Sequence, residues 1–131
     1  MIADVAAARV WREGYAPLLT RADLQVLRAA LAADDARLLQ RQTLEPPYLP
    51  GMDDWPVEAA DLIAFVGWRS RGLATLAEAD EFFARMAFAA DERLRWPGGC
   101  RKFFEFWDET PRKVAFAALL GEIDARLSAE W

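Results

Sequence analysis

Catalysis near neutral pH most often recruits histidine, and this chain of 131 residues has none. Ser-His-Asp triads, Cys-His dyads and zinc sites that use imidazole are therefore excluded. The single thiol, Cys100, follows Pro97-Gly98-Gly99 and is flanked by Arg101 and Lys102. Positive charge and a helix N-terminus would lower its pKa and make it the best nucleophile available. No histidine can act as its base, however, and a lone cysteine is most often a small buried hydrophobe.

Three pairs of adjacent acids, Asp53/Asp54, Asp80/Glu81 and Asp91/Glu92, invite a reading as oxygen ligands for Mg²⁺ or Ca²⁺. None has the spacing of a calcium loop, and neighbouring positions on a helix point about 100° apart, so the pairs do not converge on one ion. Helix capping and solvated faces account for them, and neither a metal nor a cofactor is expected. Asp61 stands apart because it lies in the most apolar segment of the chain, where an unpaired carboxylate is costly. With Glu58 and Arg69 it falls on one helical stripe, which reads either as the solvent edge of a buried helix or as a buried ion pair or polar anchor in a ligand pocket.

Sixteen aromatic residues, six of them Trp, are the strongest functional hint. Many fall in or beside expected loops: Trp11, Tyr15, Tyr48, Trp55, Trp68, Trp96, Trp107 and Trp131. Trp and Tyr at polar borders serve core rims and binding surfaces alike. Between Arg93 and Lys113 cations alternate with aromatics, a mixture suited to gripping an acidic partner or stacking on bases.

The elements that must position these groups are helical. Apolar spacing predicts a helix over residues 2–13, closed by Gly14, and another over 20–44 led by the capping pair Thr20 and Asp23, with Asp34 and Asp35 interrupting its stripe. Residues 45–56, with four prolines, read as an ordered surface loop. Asp54 as cap and Pro56 in a first turn predict a third helix over 56–70, apolar nearly all round and hence central. Thr75 and Glu78 form a capping box ahead of a helix running to about residue 95. A short helix over 100–108 and a last one from Thr110-Pro111 to Trp131 complete the set.

The expected fold is thus all-α, a single domain over 1–131 made as a bundle of about five helices, with 57–70 packed against 75–95 and 112–129. The length suffices for a core without disulfide or metal. A lone cysteine asks for no oxidising compartment and fits a cytoplasmic protein. The first ten residues lack a basic leader, and the longest apolar run, 57–68, is broken by Glu58 and Asp61, so neither a signal peptide nor a membrane span is expected. The net charge is −5, yet residues 93–113 carry six cations against three acids. Attraction to nucleic acid or anionic lipid is not expected.

These observations favour a non-catalytic module that binds another protein, or a second copy of itself, through Arg93, Arg95, Trp96, Arg101, Lys102 and Trp107. Adaptor, inhibitor, immunity-type protein and assembly subunit all fit. The alternative is a helical bundle that binds a small molecule in a pocket lined by Tyr48, Trp55, Asp61 and Trp68.

Overall fold

The structure, a computed structural model, describes residues 1–130. Trp131, and with it the expectation placed on that aromatic, lies outside the described residues. Six α-helices and a two-stranded ribbon make up the fold: α1 (Val5–Arg9), α2 (Arg21–Ala32), β1 (Leu44–Glu45), β2 (Ala59–Ala60), α3 (Leu62–Phe65), α4 (Leu76–Leu94), α5 (Cys100–Glu109) and α6 (Arg112–Glu130).

The first helix starts where Asp4 accepts a hydrogen bond from the Ala7 amide. Beyond Arg9 it widens into a π-helical stretch, Val10–Tyr15, and then tightens to a 3₁₀ turn, Ala16–Leu18. Gly14 therefore does not close the helix. It lies buried inside the π stretch, where a Cβ would meet Leu94 Cδ1 at 3.0 Å, so its bareness serves the approach of α4.

Thr20 and Asp23 form the capping box expected at the start of α2, each side chain bonded to the other's backbone amide. The helix stops at Ala32 rather than near residue 44. Asp34 takes a left-handed φ of +49°, and residues 37–45 instead wrap along β2. Leu44 pairs with Ala60 and Glu45 with Ala59, while the Leu39 amide donates to the Ala60 carbonyl at 2.8 Å. The predicted helix over 56–70 is shortened for the same reason. Asp54 caps nothing and Pro56 sits in an isolated bridge to Thr75, so residues 57–60 are extended. Asp61 is the cap, and α3 runs on into a π-helical stretch, Val66–Ser70.

The centre is as apolar as the composition implied. Leu62, Ile63, Ala64, Phe65 and Val66 are all buried. Gly67 follows, and a Cβ there would meet the Phe82 ring at 2.7 Å, so α4 crosses directly over this turn. Thr75 caps α4 by accepting from the Glu78 amide, but only this half of the expected capping box forms, since the Glu78 carboxylate accepts from the Thr75 hydroxyl instead of the Thr75 amide. Arg95 ends the helix in a left-handed conformation. The main neighbours of α4 are the Val10–Tyr15 stretch and α3, whereas α6 packs on α2 rather than chiefly on the central helix.

Two buried carboxylates tie the layers together. Burial alone would raise Asp23, but Arg71, Ser70 and the Thr20 amide outweigh it and hold the carboxyl below its ordinary range. Glu122 on α6 behaves alike: burial raises it, while two bonds from Arg12, both 2.8 Å, and one from the Ile2 amide hold it down. Arg112 is likewise fully engaged, donating to Asp34, to the Asp35 and Leu38 carbonyls, and covering the Phe116 ring at 4.1 Å. No helix among the described residues is long and apolar enough to cross a membrane.

Candidate functional site

Three segments converge on Asp61. Its amide donates to the Thr43 carbonyl at 2.8 Å, and its Oδ1 accepts from the Ala64 amide at 2.9 Å, which starts α3. The side chain is 3% exposed and no cation among the described residues pairs with it. Burial pushes the carboxyl well above the usual carboxylate range and Asp108 adds to the rise, with the Ala64 and Ile63 amides opposing.

The second segment is the turn after Gln40. Gln40 donates from its amide to the carbonyls of Trp107 and Thr110, at 2.6 and 2.8 Å, and so fastens the turn to the end of α5. Arg41 then adopts a left-handed φ of +65°, its amide bonded to Asp108 Oδ1 at 2.7 Å and its guanidinium to the Asp108 carbonyl. The third segment is the corner between α4 and α5. Asp91 of α4 accepts from the amides of Gly98 and Cys100, both at 2.8 Å, and so satisfies the first turn of α5.

Between these segments lies a cavity of about 330 Å³. Asp61, Thr43 and Cys100 line it together with Phe83 and Ala87 of α4 and Phe104 of α5. Arg41 and Arg101 stand at its solvent side, both exposed. The Phe83 and Phe104 rings meet at 5.4 Å to form one apolar wall. Behind that wall Tyr15 is wholly buried, edge-on to Phe104, and its hydroxyl, without a well-formed hydrogen bond, sits beside the Cys100 thiol.

The sequence-predicted residues fall into separate places. Trp107 is 0% exposed, stacked on Phe116 at 5.4 Å, with its indole N–H donated to the Leu39 carbonyl at 2.9 Å. It belongs to the core and cannot form part of a docking patch, because on the amphipathic α5 it shares the inner face with Phe103. The rest of the patch is at the surface. Arg93 donates to the Glu13 carbonyl, Arg95 is exposed, Trp96 is half-buried beneath the Arg9 guanidinium, and Lys102 pairs with Glu105 at 3.5 Å. Arg101 alone joins the cavity.

Of the residues expected to share a pocket, only Asp61 lines this one. Tyr48 donates to Asp53, Trp55 is 52% exposed, and Trp68 lies edge-on to Phe65 between Arg37 and Arg69. They do not come together, since each stays beside its own sequence neighbours in the loop or the π stretch. Arg41, Thr43, Phe83 and Tyr15 were missed as site residues. Nothing local marks the first three, whereas Tyr15 was visible only as an aromatic at a helix end.

Cys100 does not have the activated character its neighbours suggest. Burial raises its pKa, Asp91 raises it further, and Arg101 offsets this only in part. Iodoacetamide is therefore expected to modify Cys100 at pH 7.5 at least several-fold more slowly than an unhindered thiol, and at the ordinary rate after denaturation. Equal rates in the native and denatured protein would restore the activated thiol. Among the described residues no group of three or more cysteines and carboxylates is placed to hold a metal ion.

A larger concavity, about 520 Å³, runs between the end of α2 and α6 along Leu31, Phe116 and Leu120. Its Arg112 and Asp34 are already bonded to each other and its remaining charge, Lys113, is exposed, so it has no buried polar group to orient a ligand. Comparison with known proteins returned no matching family model, no matching curated protein and no matching solved structure.

Proposed function

We propose that this protein is a non-catalytic binder of a small molecule, which it holds in the cavity between the 41–43 turn, Asp61, α4 and α5. The observation that carries the reading is Asp61: a carboxyl buried without a cation, forming one wall of a cavity otherwise bounded by Phe83, Ala87 and Phe104. A buried polar group is costly unless something hydrogen-bonds to it. The Ala64 amide satisfies one oxygen of this carboxyl, and a ligand would satisfy the other. The raised Cys100 pKa and the lack of histidine speak for binding rather than turnover. The lone thiol suits a reducing cytoplasm.

Native mass spectrometry on protein recovered gently from its host tests this. The expected result is a single chain carrying a few hundred extra daltons, lost in an Ala87→Phe variant whose ring fills the cavity. A bare chain from the host, with no probe of any chemistry shifting its thermal midpoint, would refute the reading.

A second reading rests on the solvent-facing corner of Arg93, Arg95, Arg101 and Lys102 around the half-buried Trp96, which suits an acidic partner protein or a second copy of this chain. A second polypeptide or a doubled mass in the same spectrum would move it to first place.

A further inference from the structure

Resting on the small-molecule reading, we infer that the occupant of the Asp61 cavity is an aromatic monocarboxylate: its carboxylate meets Arg101 at the rim, its ring lies on the Phe83–Phe104 wall, and a hydroxyl or amine at its far end reaches Asp61.

The unpartnered cation sets the sign of the ligand. Arg41, Arg101 and Asp108 all border the cavity. The Asp108 carboxylate receives the Arg41 amide and the Arg41 guanidinium donates to the Asp108 carbonyl, whereas the Arg101 guanidinium has no hydrogen bond or ion pair among the described residues. A planar guanidinium presents paired donors that match a carboxylate edge to edge.

Depth sets the orientation. Arg101 is exposed and Asp61 is buried, so the cavity runs from a cationic rim to a buried polar floor, where Thr43 also contributes. A charged end is best left at the rim, where less of its hydration is lost. Size and the wall set the class: about 330 Å³, near the lower end of ligand pockets, has room for one substituted ring, and the paired Phe83 and Phe104 rings offer it a stacking surface. A phosphate is disfavoured on separate grounds. The backbone amides at the start of α5 that would cradle it are already taken by the Asp91 carboxylate.

Titration calorimetry with 4-hydroxybenzoate, its neutral counterpart 4-hydroxybenzyl alcohol, and inorganic phosphate tests the assignment on the intact protein and on Arg101→Gln. Arg101 is on the surface without intramolecular partners, so this variant is expected to fold as the parent does. The acid is expected to bind about tenfold more tightly than the alcohol, the scale of one charge-assisted contact, and phosphate not at all. Arg101→Gln is expected to erase the difference while leaving the alcohol unchanged, and Ala87→Phe to abolish both. Equal binding of acid and alcohol, a preference that survives Arg101→Gln, or binding of phosphate would overturn the carboxylate assignment and leave the cavity as a ligand site. Failure of both aromatic probes overturns the assignment too. If the host-derived extra mass is also absent, the small-molecule reading falls with it.

Discussion

Replacing Trp107 with alanine is expected to lower the thermal midpoint by on the order of 10–20 °C. The indole is fully buried, stacked on Phe116, and holds the Leu39 carbonyl through its N–H. Truncating a buried Trp costs about 3–5 kcal/mol through lost transfer energy and the void left behind. The orphaned Leu39 carbonyl adds to that. Trp107→Phe, which keeps the stacking and loses only the N–H, is expected to fall between the two. Differential scanning calorimetry checks the series. A midpoint within a few degrees of the parent for the alanine variant would show that the residue is not core, and would return it to the surface patch from which its burial removes it.

Asp61→Asn is expected to stabilise the protein increasingly as pH rises. The folded pKa of Asp61 is raised above the unfolded value of about 3.9, so the native state keeps a proton that the unfolded chain releases. That contribution is complete below about pH 4 and declines as pH climbs toward the folded pKa, by about 1.4 kcal/mol per unit. Asparagine still accepts from the Ala64 amide, serves as well as a helix cap, and cannot ionise. Asp23 and Glu122 run the other way. Their folded pKa values are depressed, so their contributions are lost as pH falls through those values, but they are common to both proteins and cancel. The midpoint of the variant relative to the parent, measured from pH 4.5 to 8, should therefore rise steadily. A flat difference would mean that Asp61 is ionised in the fold.

Asp61 also shows how far the sequence could be read. A carboxylate inside an apolar run signals a special environment on its own, but spacing left it open between the solvent edge of a helix and a buried polar group, and burial decides for the latter. The other residues around its cavity were not legible, because Thr43, Phe83 and Arg101 join it only through the tertiary course of three segments. The capping of α2 and α4 by Thr20 and Thr75 was legible for the opposite reason, since a cap and the amide it accepts from lie within four residues, although the reciprocal half of the box forms only in α2. Residues 57–60 misled because a short apolar run is equally compatible with strand and helix. What decides is Leu44, far off in the chain, pairing with Ala60. The two π-helical stretches add a shift of register that apolar spacing does not announce. Trp107 was ambiguous for want of a direction: its spacing from Phe103 places both on one face of α5, and only packing shows that this face is the inner one.

Glu122 has a consequence for how such a chain comes into being. Its carboxylate receives both Arg12 and the Ile2 amide, and α6, which carries it, is also the layer against which α2 lies. Ile2 and Arg12 thus have their partner 120 and 110 residues further along the chain. Until α6 has been made, the face of α2 that packs on it stays open to solvent, which makes the nascent chain, rather than the folded protein, the species most in need of a chaperone.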